Sequence, residues 1–234
     1  MIQDSFKNPN WLVTCDVETR YPIQNDEMKL VAYIAVNTET KDIVVVFRQT
    51  ANLLNVMTDL FTLPQQHMAN DVTAHVHSGF MDALQAIQAD IERIITREFQ
   101  DPAKQDYRLT FTGFSMGAAL ATLSAYMMLS TDLVHHRRFR LVSFGSPRVG
   151  DDVFASTLEH APIDIYRVMK EFDPIGRVPF RKSGYRHAGN EVWIHNGEFY
   201  YCHHTDLVRK CSKQRSRPIR ANEYHDYAIL NQYV

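Results

Sequence analysis

Apolar residues fall along the chain in two rhythms. Short runs rich in β-branched and aromatic residues occur at 30–36 (LVAYIAV), 43–48 (IVVVFR), 107–112 (YRLTFT), 139–144 (FRLVSF), 164–169 (DIYRVM) and 191–194 (EVWI), with the length and composition of strands. The first two stand close enough to pair as a hairpin. Between the second and third, Phe80, Leu84, Ile87, Ile91, Ile94, Ile95 and Phe99 recur every three or four positions. That spacing predicts an amphipathic helix over 80–99 whose apolar stripe faces the core. Helix-forming segments also separate the later strands, and parallel neighbours need such crossovers. The pattern predicts an α/β fold, a mixed and mostly parallel central sheet with helices on both faces.

One junction between the two rhythms carries chemistry. The strand at 107–112 runs into Gly113-Phe114-Ser115-Met116-Gly117, and an Ala-rich helical segment follows. This is G-x-S-x-G in the strand-turn-helix setting that a nucleophile elbow requires. In so tight a turn, side chains two before and two after the serine would collide, so Gly113 and Gly117 keep those places small. Ser115 is lifted above the sheet at a helix N-terminus, where N–H groups and the helix dipole favour developing negative charge. The plainer reading is a serine capping an ordinary helix.

A hydroxyl needs a base, and the base needs a group that fixes its tautomer. On elbow-bearing folds the acid and then the histidine follow the serine in the chain. Asp173, in YRVMKEFDPIGRVP, follows a β-rich run and precedes Pro174, which places it on a loop at a strand end. For the base, His225 in the last segment is preferred by position over His187 and His195.

Composition narrows the rest. The 234 residues, 45% hydrophobic and 22% charged, suit a packed globular enzyme, and no repeat or linker divides them, so a single domain over 1–234 is expected. A net charge of −2 with pI near 6.6 gives no global field to draw nucleic acid. The stretch Arg209–Arg220 carries six basic residues and no acid, either a solvated loop or a contact for an anionic surface. No apolar run reaches the ~18–20 residues of a transmembrane helix. The opening MIQDSFKNPNW lacks the basic and apolar parts of a secretory signal, which leaves a mature, a trimmed and a never-exported, cytoplasmic chain all open. Cys202 and Cys211 stand nine apart with Cys15 remote. Their spacing admits a local bridge; His203, His204 and Asp206 between them admit a metal, although no standard zinc pattern fits.

With these residues in view, an ordered series of landmarks resembles the class 3 lipases, the family of fungal triacylglycerol lipases and feruloyl esterases in the α/β-hydrolase superfamily. The series runs VVVFRQT, VHSGF, GFSMGAALA, FGSPRVGDDVF, YRVMKEFDPIGRVP and GYRHAGNEVW, between about residues 11 and 230. The resemblance implies the α/β-hydrolase fold and a triad of Ser115, Asp173 and His225. It also implies an oxyanion hole from the backbone N–H groups of Thr50 and Met116, with no metal and no organic cofactor. His77, His187 and the FGSPRVG segment become structural features. Cys202 and Cys211 become a disulfide of the kind in secreted members, Cys15 is left free, and export is implied. Four positions depart from the family pattern: Gln49 replaces a usual Gly, Phe114 a His, Ala118 a Gly and Gly176 a Pro. None removes a triad member.

Residues 51–63, ANLLNVMTDLFTL, fall at the position of the lid in related lipases. Leu53, Leu54, Met57, Leu60 and Phe61 share one helical face, which predicts a short amphipathic helical lid. The expected activity is hydrolysis of a carboxylic ester through an acyl-enzyme, with a triacylglycerol lipase acting at a lipid–water interface placed first. The rivals are a feruloyl-type esterase, a phospholipase or galactolipase, and a non-catalytic lipase-like binding protein.

Overall fold

The computed structural model describes residues 19–48, 65–69, 72–131, 133 and 138–202. All six predicted strands are present within a residue or two of their expected limits, and four further strands join them. Strands β1 (Thr19–Asn25), β2 (Leu30–Asn37) and β3 (Asp42–Phe47) form an antiparallel meander. Next come a separate two-stranded ribbon, β4 (Gln65–Ala69) and β5 (Val72–Val76), and helix α1 (Ser78–Gln100). The crossovers follow: β6 (Arg108–Phe114), α2 (Met116–Met128), β7 (Phe139–Phe144), α3 (Asp152–His160) and β8 (Ile163–Lys170). Strands β9 (Asn190–His195) and β10 (Glu198–Cys202) close the described chain as a hairpin.

The main sheet has eight strands in the order β1-β2-β3-β6-β7-β8-β9-β10. Strands β3, β6, β7, β8 and β9 are mutually parallel and the two flanking sets are antiparallel. Buried parallel strands carry near-continuous apolar runs, as IVVVF of β3 does. At the β1 edge, Pro22 removes a donor where little is lost.

The seven apolar residues of the predicted helix stripe are all buried on α1. They meet Leu109 and Phe111 of β6, Phe139 and Leu141 of β7 and the buried face of α2 in one continuous core, where each large side chain contributes ~1.5–3 kcal/mol. Alternation sends the next residues to the other face. There Val142, Val168, Val192 and Ile194 form a second cluster, flanked by Phe114, Phe144, Tyr166, Phe199 and Tyr201. Among the described residues no helical side chain joins that second cluster.

Because β3, β6, β7, β8 and β9 run the same way, the ends of all five at Phe47, Phe114, Phe144, Lys170 and His195 lie along one edge of the sheet. In open α/β sheets ligands bind outside this edge. Ser115 and Asp173 both follow strands that end there.

Candidate active site

Ser115 occupies a single-residue junction between β6 and α2 with φ 56° and ψ −120°. A non-glycine residue there costs about 1–3 kcal/mol and persists only when its surroundings impose it. Two close approaches do so. A Cβ on Gly113 would stand 2.3 Å from the Gly117 carbonyl oxygen, and a Cβ on Gly117 would stand 2.3 Å from the Phe47 carbonyl oxygen. The elbow therefore closes on itself through Gly113 and against the end of β3 through Gly117. The expected collision holds for Gly113, and the reason for Gly117 is a different neighbour, one distant in sequence.

Hydrogen bonds complete the clamp. The Ser115 amide donates to the Phe144 carbonyl at 2.9 Å, and the Ser115 carbonyl accepts from the Ala118 and Ala119 amides at 3.0 and 3.3 Å. Ser115 is only 1% exposed. Phe114, standing where the family has His, turns to the second face and joins the apolar cluster there. Met116 is the first residue of α2.

Asp173 lies on the loop after β8 and is 3% exposed. Its amide donates to the Lys170 carbonyl at 3.2 Å, closing a four-residue turn. Its Oδ1 accepts from the Ile175 amide at 2.8 Å, at the start of the short 3-10 helix Ile175–Arg177. Strands β6 and β8 are separated by β7 alone, so two strand spacings, roughly 10 Å, lie between the ends that carry Ser115 and Asp173.

The loop beyond Asp173 is pinned from below. His187, buried, donates from Nε2 to the Gly176 carbonyl at 2.8 Å. Arg148, in the FGSPRVG segment, donates from one guanidinium nitrogen to the Arg177 and Pro179 carbonyls at 2.6 and 3.0 Å. A Cβ at Gly176 would stand 2.0 Å from the Met169 methyl, so Met169 fills the space left by the family's proline. His77 is 2% exposed, lies against the Phe80 ring with centroids 4.3 Å apart, and its amide donates to Val149 at 2.9 Å.

His195, a rival for the base, ends β9, which is three spacings or roughly 14 Å along the edge from β6. Its Nδ1 faces the Glu171 carboxylate. Thr50, Gln49, the segment 51–63 with Leu53, Leu54, Met57, Leu60 and Phe61, the basic stretch 209–220, Cys15, Cys211 and His225 all lie outside the described residues. Cys202 ends β10 with a buried side chain. Among the described residues no cluster of three or more His, Cys, Asp or Glu side chains could hold a metal, and no helix is long and apolar enough to cross a membrane.

Sequence reasoning missed the ribbon β4–β5 and its tie to α3. Asp151 caps α3 by accepting from the Phe154 amide at 2.9 Å, and its other oxygen meets the His75 amide and ring at 3.1 and 2.9 Å. Its signal was the Asp before an apolar run in DDVF.

Similarity to known proteins agrees with this geometry. Residues 44–183 match the family described as Lipase (class 3). A secreted mono- and diacylglycerol lipase of Fusarium solani is 32% identical over 166 residues, 71% of this chain and 48% of that protein. A lipase of Rhizomucor miehei is 30% identical over 164 residues, 70% of this chain and 44% of that protein. The chain thus spans about half the length of the curated relatives it matches. Among solved structures, the lipase of Rhizopus microsporus var. chinensis superposes with a TM-score of 0.73 at 22% identity, over 91% of this chain and 78% of that one. The fold is that of an α/β-hydrolase, and the chain belongs to the class 3 lipase family.

Proposed function

We propose that the chain hydrolyses carboxylic esters of the acylglycerol class, with Ser115 as nucleophile, His225 as base and Asp173 as the acid that orients it. The observation that carries the reading is the strained Ser115 elbow, imposed by backbone contacts at Gly113 and Gly117. Ser115 Oγ attacks the carbonyl carbon while His225 takes its proton. The imidazolium returns that proton to the leaving alcohol, and water repeats the exchange to free the acid and regenerate the serine. The backbone N–H groups of Thr50 and Met116 would hold the oxyanion; losing one such donor typically costs about 100- to 1000-fold in turnover.

Two further histidines are accounted for elsewhere, His187 by the Gly176 carbonyl and His195 by Glu171, which supports His225 as the base. The names of relatives from Fusarium solani and Rhizomucor miehei support lipid over phenolic esters, as do the five apolar residues of the proposed lid at 51–63. The same reading takes 1–234 as one domain, Cys202 and Cys211 as a disulfide, and the protein as secreted.

A panel of p-nitrophenyl esters from short to long acyl chains, run beside acylglycerol emulsions and methyl ferulate, tests the substrate class. Higher rates on emulsified acylglycerols than on ferulate are expected, with Leu54→Asp blunting the rise at the interface. A preference for methyl ferulate would replace the lipase reading by the feruloyl-esterase one.

A further inference from the structure

The two central positions of the turn that carries Asp173 are not usual turn residues. Its four positions are Lys170, Glu171, Phe172 and Asp173, closed by the Asp173 amide on the Lys170 carbonyl. Phe172, third in the turn, has φ 62°, a conformation for which glycine or asparagine is usual. A bulky aromatic there costs about 1–3 kcal/mol and must be held from outside. Glu171 supplies the hold. Its amide donates to the Ile194 carbonyl at 2.8 Å. One carboxylate oxygen accepts from His195 Nδ1 and the other faces the Asn196 amide at 3.4 Å.

His195 is itself fixed on the β9–β10 hairpin. It stacks on Trp193 with centroids 4.5 Å apart and rings 9° from parallel, and its Nε2 faces the Asn196 side-chain amide at 3.3 Å. The Trp193 ring in turn meets Tyr200 of β10 at 5.7 Å. The neighbouring strand pair thus forms a shelf, and Glu171 ties the strained turn to it.

We infer that Glu171, held by His195, is a positioning residue for Asp173, fixing the register of that carboxylate against the base. The inference rests on the reading of Asp173 as the triad acid. Neither Glu171 nor His195 touches the reacting atoms in this account; they act through the backbone of the turn. Misplacing a reacting group by about 1 Å costs up to about 100-fold, whereas a residue that only stabilises the hairpin would leave turnover in folded protein unchanged.

The test compares full-length wild type with Glu171→Ala, Glu171→Gln, His195→Ala, the Glu171→Ala/His195→Ala double variant, and Tyr21→Phe as a remote stability control. Each is measured for ester kinetics, for the rate of covalent labelling by a fluorophosphonate probe, and for Tm. Glu171→Ala is expected to lower kcat and the labelling rate about 10-fold or more with KM within about 2-fold. His195→Ala should fall similarly, and the double variant should be no worse than the poorer single, because the two residues act as one unit. Glu171→Gln keeps one acceptor and should recover most of the rate. Tyr21→Phe should lower Tm and leave kcat unchanged. Wild-type labelling of Ser115 together with unchanged rates in Glu171→Ala would overturn the inference alone, and so would additive losses in the double variant or an equal loss of kcat in Tyr21→Phe. Failure of the wild type to label at Ser115 would instead overturn the hydrolase reading beneath it.

Discussion

The loops carrying Ser115 and Asp173 leave the same edge of one parallel sheet, yet different forces hold them. The Ser115 elbow is enforced by exclusion: two positions where a single carbon would stand 2.3 Å from a carbonyl oxygen, and a backbone bond to β7. The Asp173 loop is enforced by attachment, through Glu171, His187, Arg148 and the Asp173 carboxylate itself. Steric exclusion is all-or-none, because packed interiors cannot yield by an ångström without shifting strands. Attachment is graded, because hydrogen bonds are lost one at a time at about 1 kcal/mol each. Changes at Gly113 and Gly117 should therefore cost folding, and changes around the proposed acid should cost rate first.

The sharpest contrast in rate is expected from Asp173→Asn. The asparagine oxygen can still accept from the Ile175 amide, so Tm should move by only a few degrees, while turnover should fall by about four orders of magnitude as the base loses its correct tautomer. A near-native rate in this variant would assign the acid elsewhere.

Next in size comes Gly117→Ala. With the Phe47 carbonyl oxygen 2.3 Å from the new carbon, stability should drop by about 3 kcal/mol or more, with little or no folded protein at 37 °C by circular dichroism. An alanine variant with native Tm and native labelling would erase the distinction between exclusion and attachment.

A third region, remote from both loops, provides the baseline. Glu98 on α1 is 4% exposed and accepts from Lys104 Nζ and Tyr21 Oη at 2.7 Å each. Burial pushes its carboxyl up, but the bonds from Lys104 and Tyr21 outweigh it and hold the group below its ordinary value of 4.5. A depressed carboxylate adds stability above its unfolded value and loses it as pH falls through the folded one. Wild type should accordingly lose this contribution below about pH 4.5. Glu98→Gln should cost about 2 kcal/mol near pH 7 and flatten the acid limb of the stability curve, with kcat unchanged. A parallel loss of kcat would mean that any destabilisation reaches the site.

The smallest expected change is His187→Phe. It leaves the Gly176 carbonyl without its buried donor, which should cost about 1–2 kcal/mol in chemical denaturation and lower kcat severalfold. A rate loss as large as that of Asp173→Asn would promote His187 from support to chemistry.

Legibility in the sequence followed the same division. The central strands and the α1 stripe were readable because both their faces or one full face must be apolar, so period alone marks them. The elbow was readable because exclusion selects glycine at fixed offsets. Strand β4, QQHMA, carries almost no apolar signal and exists through its pairing with β5; β10 alternates weakly, with Glu198 and Tyr200 exposed on the solvent side. The Glu171–His195 pair was illegible for a deeper reason. The residues stand 24 apart, and only the parallel register of β8 with β9 brings Lys170 beside Ile194. Even Phe172 gave no warning, because nothing in its side chain announces a positive φ.

On the proposed reading, the strained elbow makes Ser115 the reacting group of an ester hydrolase. Labelling intact protein with a fluorophosphonate, followed by peptide mapping and by ester turnover in wild type and Ser115→Ala, tests it most directly. One adduct is expected, on the peptide containing Ser115. Ser115→Ala should give no adduct and at least about a thousandfold less turnover at unchanged Tm. An adduct on another residue, or turnover that survives Ser115→Ala, would contradict it.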